Sequence, residues 1–228
     1  MDRKVRILWM IFVGVMVAGL VSASNMGFKL SYQLQTNAAG KNINWVSLPY
    51  FNSFATAQDV LNDINNDCGA GNATSLIRFD TVNNQTITHT NGSVSNNFTI
   101  SAGEAYGVNV SSGSTCTWII VGSHNNSFDP GGISSILLKK NAAGKNINWL
   151  SVPYHTTLST AEDLCNEINN QNGATVVTSV IKFDTTNNQT ITHTCGSVSN
   201  NFSLDPGLGV AVNIDPNALN PIWQPSHY

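Results

Sequence analysis

Apolar and polar positions alternate with period two along much of this chain, and the pattern is written twice. Phe28, Leu30, Tyr32 and Leu34 alternate with Lys29, Ser31, Gln33 and Gln35, as in a half-buried strand. A polar turn at 37–42 leads into a second strand over 43–50, ended by Pro49. The spacing then turns helical: Ala57, Val60, Leu61 and Ile64 form one stripe. Thr56 and Asp59 stand before it in a capping-box pattern, repeated by Thr160 and Asp163. Gly69 and Gly173 mark the helix exits. The remainder of the unit reads as strands and turns, with strands predicted over 75–80, 85–90, 97–101, 106–110 and 117–121.

The whole order returns 104 positions later. Residues 37–98 align without a gap on 141–202, and 42 of those 62 positions are identical. Two units of about 100 residues each suit the usual domain size. The expected organisation is an N-terminal segment at 1–24, a first β-domain at 25–124 and a second at 125–228. The predicted fold is mostly β: two tandem homologous domains, each a β-sandwich or partly open barrel with one short α-helix. Trp45, Trp149, Leu61, Ile64, Ile168, Phe79, Phe183, Phe98 and Phe202 are expected in the cores.

The first 24 residues add a location. Arg3, Lys4 and Arg6 precede an uncharged, mostly apolar run at 7–21, and small residues come after it. This reads as an export signal cleaved near Ala23, or as a retained apolar helix. Charged residues make up only 10% of the chain and the formal net charge is −3. With an acidic balance and no basic patch, nucleic acid is excluded as a partner. The membrane is a partner only through the N-terminal segment, if it is kept. The expected location is extracellular or at the cell surface.

The four cysteines agree with export. Cys68 and Cys116 lie in the first unit, Cys165 and Cys195 in the second, and none occupies an equivalent position. A separate pair in each unit predicts two intra-unit disulfides, 68–116 and 165–195. Asn-x-Ser/Thr sequons make Asn72, Asn84, Asn91, Asn97, Asn109, Asn125, Asn188 and Asn201 candidate glycosylation sites, although a chain this rich in Asn, Ser and Thr reaches a similar count by chance.

Catalytic chemistry leaves no mark. His89 and His193 are equivalent, on predicted strands, with no second ligand at metal spacing. Asp59 and Asp63 read as a solvated helix face, and Asp80 and Asp184 as Asx-type hairpin turns. No nucleophile elbow, phosphate loop or dinucleotide fingerprint occurs. The expectation is a non-enzyme with no cofactor and no metal.

The motifs N-W-V-S-L-P-Y (44–50) and N-W-L-S-V-P-Y (148–154), with the later S-A-G-E-A-Y-G-V and D-P-G-L-G-V, carry a resemblance. They resemble a repeat domain of secreted bacterial and archaeal surface proteins that opens near N-W-[VL]-S-[LV]-P-Y and closes near P-G-x-G-[VY]. Unit one departs at Ala102, where that pattern has Pro; unit two departs at Val210, where it has an aromatic. The resemblance implies a structural building block of surface proteins.

The first strand of unit one differs from its counterpart at 133–140, being longer and more regularly amphipathic. Its apolar face, Phe28, Leu30, Tyr32 and Leu34, either completes its own unit or is donated to another subunit. With duplication and no apolar C-terminal tail, this suggests a secreted non-enzymatic structural protein. It would be the subunit of a homopolymeric filament or surface assembly, built by head-to-tail and donor-strand contacts. The alternative is a monomeric secreted adhesin or carbohydrate-binding module, with glycans as partners.

Overall fold

A computed structural model describes residues 27–37, 40, 42–111, 113, 115–141, 144 and 146–226. The apolar segment at 1–24 lies outside the described residues, among which no helix is long and apolar enough to cross a membrane.

Unit one runs β1 (Phe28–Leu34), β2 (Ile43–Ser47), α1 (Ala57–Cys68), β3 (Ala73–Asp80), β4 (Gln85–Thr90), β5 (Ala105–Val110) and β6 (Cys116–Gly122). Unit two runs β7 (Ile136–Leu137), β8 (Ile147–Ser151), α2 (Ala161–Asn172), β9 (Val177–Asp184), β10 (Gln189–Thr194), β11 (Gly209–Ile214) and β12 (Ile222–Trp223). The sheets are built alike. Four antiparallel strands lie in the order β2-β5-β3-β4 in one unit and β8-β11-β9-β10 in the other. Two-stranded ribbons, β1 with β6 and β7 with β12, complete the units.

Both helices start as the sequence predicts. Thr56 and Thr160 cap them, and the Asp59 and Asp163 carboxylates accept from the cap N–H groups at 2.8 and 2.9 Å. Each helix buries its apolar stripe against its own sheet: Ala57, Val60, Leu61 and Ile64, then Ala161, Leu164, Cys165 and Ile168. The hairpin tips also match expectation. Asn83 donates from backbone and side chain to Asp80 at 3.2 and 2.8 Å, and Asn187 repeats this on Asp184. Those bonds hold both carboxyls below the usual carboxylate range. Asn84 and Asn188 close the turns with φ 51° and 52°, a conformation Asn tolerates.

Residues 97–101 depart from prediction. Their backbone serves the helix entrance: Phe98 O accepts from Ala57 N–H at 2.9 Å, Ile100 N–H donates to Ala55 O at 3.0 Å, and Asn97 Oδ1 accepts from Gln58 N–H at 2.9 Å. Early helix N–H groups lack intrahelical partners, and this segment supplies them, so it joins no sheet.

Leu61, Ile64, Ile168, Phe98 and Phe202 are buried as expected. Trp118 and Trp223 fill the cores as well, each fully buried, with the indole N–H donating to Asp63 at 2.8 Å and Glu167 at 2.7 Å. Asp63 is therefore no solvated bystander. Trp45, Trp149, Phe79 and Phe183 correct the expectation: they are half-buried and lie outside both core clusters. They stack between the units.

Among the described residues no sheet closes into a barrel. Sheet packs on sheet between the units: one face of each four-stranded sheet carries its helix, and the other meets the sheet of the second unit.

Candidate functional site

The contact between the units obeys an approximate twofold symmetry. Adding 104 to a residue of unit one gives its counterpart, and the contacts come in reciprocal pairs. Ser47 N–H donates to Gly207 O and Ser151 N–H to Gly103 O, both at 2.9 Å. Thr185 Oγ1 donates to Ile43 O at 2.7 Å, and Thr81 Oγ1 to Ile147 O at 2.5 Å. Asn37 Nδ2 donates to Thr185 O at 2.8 Å, and Asn141 Nδ2 to Thr81 O at 2.9 Å. Along the axis four rings form a ladder, Phe79–Trp149–Trp45–Phe183, with centroids 6.0, 4.7 and 5.9 Å apart.

The motifs that carry the family resemblance meet here. The tryptophans and serines of the N-W-x-S stretches lie against the glycines of the closing motif. Gly103 and Gly207 have φ of 82° and 86°, which disfavours any side chain. Space forbids one too. A Cβ on Gly207 would stand 2.1 Å from Leu30 Cδ2, and one on Gly103 would stand 2.5 Å from Ile136 Cδ1.

The first strand lies within this chain's own architecture. β1 pairs along its whole length with β6, Phe28 opposite Gly122 through Leu34 opposite Cys116. Leu34 is buried, Leu30 and Tyr32 pack on the unit-one core, and Phe28 lies 4.0 Å from the His155 ring of unit two. The Tyr32 hydroxyl lies against the carbonyls of Ser47 and Gly207, the second at 2.6 Å. Burial, then the nearby Tyr154, push its pKa well above the ordinary tyrosine value.

Symmetry places one cleft on each side of the ring ladder, and the two are unequal. One has a volume of about 350 Å³ and is lined by residues including Tyr32, Gln35, Trp45, Phe183, Thr186 and Leu208. Its counterpart has about 40 Å³. There Ile136 stands for Tyr32, Lys139 for Gln35 and Glu104 for Leu208, and Lys139 Nζ lies 3.8 Å from Glu104 Oε1. An ion pair lies across the second cleft, whereas an amide and a leucine stand at those two positions in the first.

Both disulfides join as expected, Cys68–Cys116 and Cys165–Cys195. Each has a non-covalent counterpart. Asn172, at the position of Cys68, exchanges two hydrogen bonds with Ile222, tying α2 to β12 as the bridge ties α1 to β6. Asn91, at the position of Cys195, accepts from Gln58 Nε2 at 2.7 Å.

His89 and His193 are wholly buried, contrary to a simple strand-face position. His89 bonds Ser95 O and Gln58 Oε1, both at 2.9 Å; His193 bonds Ser199 O at 3.0 Å and Glu162 Oε2 at 2.7 Å. Burial opposes ionisation of Glu162, but the bonds from His193 and Gly196 outweigh it and hold its pKa below the usual glutamate value. Glu162, Cys165 and His193 have the proximity of a metal cluster. Cys165 is spent in a disulfide and offers no thiolate, so the group does not have the donor set of a metal site.

The sequons divide by which amide atom is engaged. Asn91, Asn97, Asn125 and Asn201 bond through Oδ1, leaving the nitrogen to which a glycan attaches. Asn84 and Asn188 sit at hairpin tips and Asn109 on β5. Asn72 already donates its nitrogen to Cys68 O.

No protein-family model, no curated protein and no solved structure matches the chain.

Proposed function

We propose that this chain is an exported, non-enzymatic protein of the extracellular space or cell surface, whose two β-units form one self-contained binding module. The observation that carries this reading is the reciprocal contact between the units. A twofold contact uses the same patch on both partners and closes on itself. The duplication therefore leaves no second copy of that patch to receive a following subunit. The resemblance to secreted surface-protein repeats and the paired cysteines support export, which the apolar start would serve. Each unit contributes one sheet to what is best described as a sandwich shared by both.

A second reading keeps the chain as a filament subunit. It is favoured by β1, the outer strand of a two-stranded ribbon at the N-terminal end of the described residues, where exchange between subunits is topologically simple. Light scattering on the mature protein purified from native secretion decides between them. A concentration-independent monomer supports the module. Polymers that lose their contacts when Leu30 and Tyr32 are both changed to Asp would replace it with the filament.

A further inference from the structure

We infer that the open cleft beside the Trp45–Phe183 pair is a binding site for a short, uncharged saccharide. This rests on the reading of the chain as a binding module and names its ligand class. The first argument is the comparison within the molecule. Two equivalent clefts descend from one repeated pattern, and only the smaller one is crossed by an ion pair. The open one, at about 350 Å³, falls within the range of roughly 300–1,000 Å³ typical of small-molecule sites.

The second argument is the chemistry of the lining. Phe183 and Trp45 supply aromatic surface, and apolar C–H faces of a sugar ring pack on such surface. Hydroxyls need both donors and acceptors beside it. The Gln35 carboxamide oxygen accepts from Thr186 Oγ1, which leaves the NH2 group for another partner. Asp184 also lines the cleft and is held ionised by Asn187, an acceptor with lone pairs to spare. Among the described residues the only other charged one of the lining is Lys182, and these two charges cancel. That balance disfavours anionic or cationic ligands and suits a neutral, hydroxyl-rich one.

The molecule supplies its own closing experiment. Gln35→Lys with Leu208→Glu writes the Lys139–Glu104 pair of the closed cleft into the open one. The mature protein is titrated with lactose, cellobiose, maltose and N,N′-diacetylchitobiose, with tryptophan fluorescence and calorimetry as readouts. At least one is expected to bind saturably, and the double variant is expected to weaken it at least tenfold with unchanged circular dichroism. If that variant fails to fold, Thr186→Trp at the exposed rim blocks the cleft and is expected to do the same. Absence of binding by all four sugars, or binding that survives a folded blocking variant, overturns the assignment. A monomer without sugar binding sinks this inference alone; a polymer that still binds sugar at the cleft sinks only the self-contained reading.

Discussion

A single atom decides what stands at Gly103 and Gly207. Each has a left-handed φ and a neighbouring side chain from the other unit within what would be overlap distance. Gly207→Ala should therefore cost more than the ~1 kcal/mol of backbone strain alone, because Leu30 and Tyr32 must also move. Urea denaturation checks this; a variant as stable as the parent would show that the approach is not tight. At Glu162 the expected effect is one of pH. Its folded pKa lies below the unfolded value, so its contribution is present above the unfolded pKa of ~4.3 and is lost as pH falls through the folded value. Glu162→Gln, which copies Gln58 of unit one, should reduce the loss of thermal midpoint between neutral and acid solution. The sequence showed the two histidines as equivalent but hid their burial, because a period-two strand with exposed threonines on both sides of His89 looks solvated. Trp118 and Trp223 each precede a Ser-His pair, but at unequal spacing that hides their equivalence. They lie 105 residues apart rather than 104, so a gapless comparison does not align them, and their acid partners sit on a helix face that reads as polar.

At the level of elements, the strands, helices and turns that satisfy their hydrogen bonds locally were readable. The capping boxes, the Asx hairpins and β4 with β10 arise from neighbouring residues. Elements that depend on distant partners were not readable. Residues 97–101 have strand-like alternation but are spent on the helix entrance, and the expected strand at 133–140 shrinks to Ile136–Leu137. The disulfides fasten these elements, and removing the 68–116 pair by Cys→Ser at both ends should cost about 2–5 kcal/mol. Asn172→Ala should loosen β12 in the same direction but less, since two hydrogen bonds at about 1 kcal/mol each replace a covalent tether. Hydrogen exchange at Ile222 and Gln224 reports on it. Protection equal to the parent's would mean that Trp223 alone holds the strand.

For the whole molecule, the apolar pattern assigned Trp45, Trp149, Phe79 and Phe183 to the cores, whereas they lie half-buried between the units. Alternation tells which face of a strand leaves water, not whether a helix or another sheet covers it. The stacked ladder predicts coupled unfolding. Trp45→Ala with Trp149→Ala removes every contact of the ladder and should split one calorimetric transition into two, with each unit keeping its disulfide. A single transition at the parental midpoint would mean that the hydrogen bonds alone couple the units.

Reciprocal pairing also imposes a rule of parity. Each unit has one face that is complete only when covered by its like, so such units are satisfied in even numbers. A chain carrying a third copy appended after residue 226 would hold one uncovered aromatic face, and two such chains would join through it. The number of repeats, rather than any change in their sequence, would then set whether the protein stays single or couples to another.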